Sequence, residues 1–226
     1  MEATRYDITA YTASFRLPGL MGYQATSPVP PPSTIFGILS AAAGRDISPL
    51  ELEWVAYSFS FSAKGVDLEK IIAFSPKGPY YEPKLGGINT VPIKREFLYE
   101  PHLVLYLPAG ALESEMIRPR YPLCLGRSQD VAMLESVRHT RLKHVESAEV
   151  QGVLIPFPVE GSAPGSMILS LPTCMNNNIP RTPMNIRLFH AVVQRQMVCT
   201  ANLYMEEQEE LAVPLLHREF LMPSGE

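Results

Sequence analysis

Apolar and polar residues alternate at the start of the chain, with Tyr6, Ile8 and Ala10 in one phase and Tyr11, Ala13 and Phe15 in the other. Period-two alternation predicts a strand over Tyr6 to Phe15, and the change of phase predicts a β-bulge that bends it. The period then changes. Ile35, Ile38, Leu39 and Ala42 follow at i, i+3, i+4 and i+7, which predicts one buried face of a short helix, with Gly44 placed to stop it. Ser33 or Thr34 is the expected N-cap. Before the helix stands GYQATSPVPPPS, with four prolines between Pro28 and Pro32. Proline fixes φ and pushes its predecessor toward extended backbone, so this stretch reads as a polyproline-like arm. Either the arm is a rigid crossover that docks the helix on a sheet, or the helix start faces a phosphate. Val55, Tyr57, Phe59 and Phe61 then alternate with Ala56, Ser58 and Ser60, a half-buried strand. The chain opens β, α, β.

From Lys64 to Arg95 the pattern weakens into a protruding loop or flexible hairpin, rich in Gly and Pro, with adjacent Tyr80 and Tyr81. Glu96 to Tyr99 and His102 to Leu107, on either side of Glu100-Pro101, read as a hairpin-like strand pair. Val150 to Val159 and Leu215 to Leu221 are later strand candidates, and Leu107-Pro108 and Leu171-Pro172 are expected to end strands.

Composition narrows the class. With 226 residues, 46% of them hydrophobic, the chain can bury one good core or two small ones. No segment reaches the ~18 apolar residues of a membrane helix and the first residues do not resemble a secretory signal, so cytoplasmic placement without membrane association is expected. Cys124, Cys174 and Cys199 are widely spaced and read as reduced thiols. The formal charge of −4 does not announce a nucleic-acid binder, but its distribution is segregated. Arg118, Arg120, Arg127, Arg138, Arg141 and Lys143 face only Asp130 and Glu135 in their segment, whereas Glu206, Glu207, Glu209 and Glu210 form an acidic run. That run reads as a solvated helix end or loop, or as a face for a basic partner.

Catalytic motifs are scarce. His139 and His144 are the only neighbouring histidines, and their spacing puts them together on neither a helical nor a strand face, so no metal or other cofactor is expected. There is no GxSxG, P-loop or GxGxxG. Two readings stay open: an RNA-binding assembly subunit, or a metal-independent ribonuclease using His, Tyr and Lys or Arg in acid and base roles.

Three stretches in order, FRLPGLMGYQATSPVPPPSTIFGIL, VPIKREFLYEPHLVLYL and RPRYPLCLGRSQD, resemble the fifth Cas family of CRISPR-associated proteins, in the RAMP superfamily. The resemblance spans about residues 15 to 130. It implies an α+β fold: a ferredoxin-like, RRM-related domain over residues 1–125 with a β-hairpin thumb at about 76–95, and a variable β-rich part over 126–226. It also implies a role in type I Cascade. The subunit would grip the 5′ handle of the guide RNA (crRNA) and cap the backbone filament, touching the adjacent backbone subunit and the large subunit and meeting target DNA only through the complex. It would bind without cutting. The type I-C branch instead processes precursor crRNA; its Tyr, His and Lys set does not map onto Tyr23, Tyr80, His102 or His139, and cleavage stands as the alternative.

Within that fold Gly37 would let the helix approach the strands closely. Candidate RNA contacts follow from residue chemistry. Gln24 and Thr26, with Ser33 and Thr34 at the helix start, offer hydrogen bonds to phosphate, sugar or base. In the thumb, Tyr80 and Tyr81 can stack on bases while Lys77, Lys84, Lys94 and Arg95 neutralise phosphates. In the later segment Arg118, Arg120, Arg127 and Ser128 are the candidates. Gly126 permits a tight turn that would hold Arg127 for a two-pronged grip, and an ion pair with Asp130 is the competing role for that arginine.

Overall fold

The computed structural model describes residues 1–17, 23–72, 74–75, 78–79, 90–159, 161–162, 165–176, 178 and 181–222. The first strand, β1 (Glu2–Ala10), starts earlier than its alternation suggests and is buried without interruption from Ala3 to Ile8. It is covered on both sides: Tyr6 and Ile8 face one core and Ala3 another. At Tyr11, 79% exposed, the chain leaves this sheet, and β2 (Thr12–Ala13) joins a different one. The phase change is therefore an exit rather than a bulge. The register does slip between Asp7 and Ile8, but the extra residue, Glu135, belongs to the partner strand.

After β3 (Tyr23–Gln24) the proline arm runs into the protein. Val29, Pro30, Pro31 and Pro32 are buried, and the Tyr57 hydroxyl donates to the Pro30 carbonyl at 2.9 Å. Helix α1 (Pro32–Ala43) begins with Pro31 as its N-cap and Pro32 at its first position, and no side chain caps it. Ser33 and Thr34 lie inside the first turn instead, because a proline with preset φ and no N–H already suits the helix start. Ile35, Ile38, Leu39 and Ala42 are buried as their spacing requires, and Gly44 closes the helix at φ 71°. Backbone N–H groups of Arg120 and Tyr121 cap the carbonyls of Ala42 and Ala41 at 2.8 and 3.0 Å. Gly37 is exposed, and a Cβ there would meet nothing within 4 Å, so close approach to the strands is not its role.

β4 (Trp54–Ser60) is buried on both faces rather than one, with Val55, Tyr57 and Phe59 in the first core and Trp54 and Ala56 in the second. β5 (Ala63–Ile72) pairs antiparallel with β6 (Thr90–Tyr99), so both ends of the weakly patterned segment are strand. β6 does not form a hairpin with β7 (His102–Pro108). Glu100, at φ 49°, turns the chain between sheets, and β7 lies between β1 and β4. Pro108 ends β7 as expected.

Helix α2 (Glu113–Ile117) and the short β8 (Leu123–Cys124) lead into β9 (Val131–Val150), which has no clear sequence signal. Residues 132–141 of β9 pair with β1, and residues 142–150 pair with a later strand. β10 (Val153–Pro156), β11 (Met167–Met175) and β12 (Pro183–Val192) make a three-stranded sheet in the order β10-β12-β11. β11 continues through Pro172, where the register slips, so that proline does not end the strand. The candidate strand 150–159 does not form as one: Val150 ends β9 and Val153 to Pro156 form β10, and 215–221 divides between β14 (Ala212–His217) and α3 (Arg218–Leu221).

β13 (Gln196–Glu206) pairs with both β14 and β9, while β14 pairs with β4. The path β9-β1-β7-β4-β14-β13 thereby returns to β9 and closes a six-stranded ring. Ala3, Trp54, Tyr106, Leu142, Leu203 and Leu215, one from each strand of the ring, share one core. Arg5 is buried beside it, donating to Glu206 at 2.9 Å, to Asp7 and Glu209, and to the Tyr106 hydroxyl. Glu206 is thus no solvated end of an acidic run: it is 5% exposed and also accepts from Tyr106 and Thr140. The other core joins α1 to β1, β4 and β7 and to Leu171 and Phe189 of the three-stranded sheet.

Candidate nucleic-acid interface

β6 is the spine of a small sheet beside the main one. β5 runs antiparallel along one edge, placing Leu68 opposite Lys94 and Lys70 opposite Pro92. Along the other edge β3 runs parallel, with Tyr23 opposite Lys94 and Gln24 opposite Arg95, and β2 pairs with the last two residues. Residues directly opposite share a face and successive residues alternate. Tyr23, Lys64, Val66, Leu68, Lys70, Lys94 and Glu96 therefore stand on one side, and Gln24, Asp67, Glu69 and Arg95 on the other.

The first side is open. Tyr23, Val66 and Leu68 are 40%, 56% and 67% exposed, and Lys70 and Lys94 are exposed without an ion pair to any described residue. Glu96 organises the edge, accepting from the Tyr23 hydroxyl at 2.8 Å, the Thr26 N–H at 3.0 Å and Lys64 Nζ at 3.1 Å. Burial opposes its ionisation, but these donors outweigh burial and hold the carboxyl below the usual carboxylate range. Aromatic and aliphatic surface flanked by these lysines suits base stacking with phosphate neutralisation.

The second side is locked. Glu69 accepts from Arg95 Nε at 2.6 Å and from Arg127 Nη1 at 2.7 Å, and these donors depress its pKa against the opposing effect of burial. Arg127 also grips Asp130 with two nitrogens, each at 2.8 Å, and Asp130 is fully buried and accepts from the Thr12 hydroxyl at 2.6 Å. The Asp130 bonds, foremost, hold the Arg127 guanidinium above its ordinary value. The turn forms as its glycine predicts: Gly126 has φ 107°, and a Cβ there would lie 2.0 Å from the Ser14 carbonyl oxygen. The competing role for Arg127, pairing with Asp130, is the one realised, and its side chain is only 12% exposed.

Of the other sequence candidates, Lys77, Tyr80, Tyr81 and Lys84 lie outside the described residues. Thr26 is buried, its hydroxyl accepting from the Phe15 N–H at 2.8 Å. Gln24 is buried beside Arg95 with its Oε1 unpartnered. Arg118, Arg120 and Ser128 are exposed, and neither arginine pairs with Glu113 or Glu115, which bind His139 and Ser114 instead. Arg138, Arg141 and Lys143 are spent on Glu209, Glu2 and Glu207. The structure thus brings together Gln24, Thr26, Lys94, Arg95 and Arg127, and sets Ser33, Thr34 and Arg120 at the two ends of α1. Tyr23, Lys64 and Lys70 were missed. Lys64, Val66, Leu68 and Lys70 carry a period-two signal, but without the β5–β6 register nothing in it says that Lys94 shares their face.

The family model described as CRISPR-associated protein (Cas_Cas5) matches residues 5–198. No curated protein sequence matches. Among solved structures, a chain of a CRISPR RNA-guided surveillance complex superposes with a TM-score of 0.56 at 16% identity, over 91% of each chain. A CRISPR protein from Archaeoglobus fulgidus gives 0.52 at 11% identity, over 96% of this chain and 99% of that one. A chain of the type III-B Cmr-beta complex bound to cognate target RNA gives 0.55 at 10% identity, over 97% of this chain and all of that one. At such identities the likeness is one of fold.

Proposed function

Because the chain belongs to the CRISPR-associated Cas5 family, we propose that it is the crRNA-binding subunit of a type I Cascade complex, gripping the 5′ handle and capping the backbone filament. It binds RNA without cutting it, touches the adjacent backbone subunit and the large subunit, and meets target DNA through the guide. The observation that carries this reading is the open side of the small sheet, where Tyr23 shares one face with Lys70 and Lys94, neither of them paired with a described residue. The paired β5 and β6 strands support the thumb, whose outer part falls outside the described residues. The strand order β9-β1-β7-β4, with α1 after β1 and α2 after β7, supports the ferredoxin-like reading of the first half. The likeness in fold to chains of RNA-guided complexes supports the RNA partner.

Filter binding of repeat-derived RNA at several salt concentrations tests it. Lys70→Ala with Lys94→Ala should weaken binding about tenfold and flatten the salt slope by about 1 to 2, as expected when two phosphate contacts are lost. Parent-like affinity and slope in the double variant would move the RNA path off this sheet. The same RNA should keep its length with and without divalent metal; specific shortening, abolished by substituting a Tyr or His, would assign the chain to the processing branch.

A further inference from the structure

β12 presents Met184, Ile186 and Leu188 on one side, 57%, 50% and 43% exposed, and its register sets His190 on that side opposite Ile168, 53% exposed. The other side of these two strands, carrying Leu169, Leu171, Phe189 and Ala191, is core. A sheet apolar on both sides is built to be covered on both; the second core covers this side at Val192, Val153 and Ile155, and the described residues leave it open over Met184 to Leu188 and Ile168. The bare side holds no Asp, Glu, Lys or Arg at the alternating positions 184–190 of β12 or 168–172 of β11. A polyanion would find nothing there to neutralise its phosphates, so the surface suits protein rather than nucleic acid. Its apolar side chains offer roughly 400 Å², about half of what each partner buries in a stable pair, so this face alone does not hold a second copy.

Past Met184 the surface continues into a groove of about 970 Å³ beside α1, lined by Leu50, Tyr121 and Met175 with Asp46 and Arg181. A flat face followed by a groove is not complementary to itself about a two-fold axis. We infer that this continuous surface receives a neighbouring protein subunit of the same ribonucleoprotein, one that lays an uncharged apolar face on β12 and a convex element in the groove. The inference rests on the assembly reading above and adds to it the place and chemistry of one protein contact.

The test uses the complex purified from its host through a tag on this chain. Ile186→Glu with Leu188→Glu should retain guide RNA at the parent level while one protein subunit falls at least tenfold in stoichiometry. A benzoylphenylalanine photo-crosslinker at position 188 should attach to that same subunit. Full stoichiometry in the double variant, or a crosslink to RNA or to a second copy, would overturn the inference. So would a fall of more than a few degrees in the variant's melting temperature, since the two side chains would then serve the fold. If the tagged parent recovers neither RNA nor partner, the assembly reading itself fails; if the parent complex is intact and the variant matches it, only the docking face fails.

Discussion

Arg127 shows how a residue can be recognised in sequence and still have its role decided by neighbours far along the chain. Its turn, its glycine and its rival partner Asp130 are all visible within five positions, but Glu69 is not. With three nitrogens engaged and Asp130 fully buried, Arg127→Ala should cost about 3 kcal/mol, the usual scale for stripping a partner from a buried carboxylate, read from the urea midpoint. An unchanged midpoint with weakened RNA binding would return the residue to the RNA interface. The carboxylates on the two sides of the small sheet make it acid-sensitive. Glu69 and Glu96 hold their protons less tightly in the folded chain than in the unfolded one, so as pH falls the unfolded state takes up protons first. Their stabilisation is complete above the ordinary glutamate value of about 4.3 and disappears as pH drops through the lower folded values. Denaturation midpoints between pH 6 and 3 should therefore fall less steeply in Glu69→Gln and Glu96→Gln than in the parent; parallel curves would exclude both groups.

Among the elements, α1 and β4 were legible because their periodicity is local: the positions that spacing selects are buried in both, although β4 buries Trp54 and Ala56 of its other face as well. Capping was misread because proline and serine compete for the same helix start. Since no side chain caps α1, Ser33→Ala and Thr34→Ala should each change stability by less than about 0.5 kcal/mol, against the ~1 kcal/mol of a working cap. A loss near 1 kcal/mol in thermal melts would restore the side-chain cap. β9 was illegible for the opposite reason. It changes partners midway and is exposed at many positions, so no single face imposes an alternation on its sequence. Glu96 to Tyr99 of β6 was legible as strand, but β5 and the first half of β6 read only as a loop or flexible hairpin, since their faces mix lysine, glutamate and valine and their pairing is carried by the backbone.

On the scale of the whole molecule the ring depends on one buried cation. Arg5 joins β1 to β13 through Glu206, with Tyr106 of β7 and Thr140 of β9 in the same hydrogen-bonded group. Arg5→Ala should cost 3 to 5 kcal/mol, because Glu206 and Asp7 would stay buried without their counter-charge, whereas Arg5→Met with Glu206→Gln should recover part of it. A loss in the double variant equal to the sum of the two single losses would show that the group is not coupled. The ring also sets an order of events on the ribosome. β4 finds its second neighbour only when residues 212–217 are made, and the distal half of β9 waits for residues 196–206. Until then the nascent chain carries two open strand edges beside a half-built apolar core, the state in which chains pair with one another. The strands translated last therefore decide how long that exposure lasts, and a slow stretch of codons between β9 and β13 would lengthen the nascent chain's need for a chaperone.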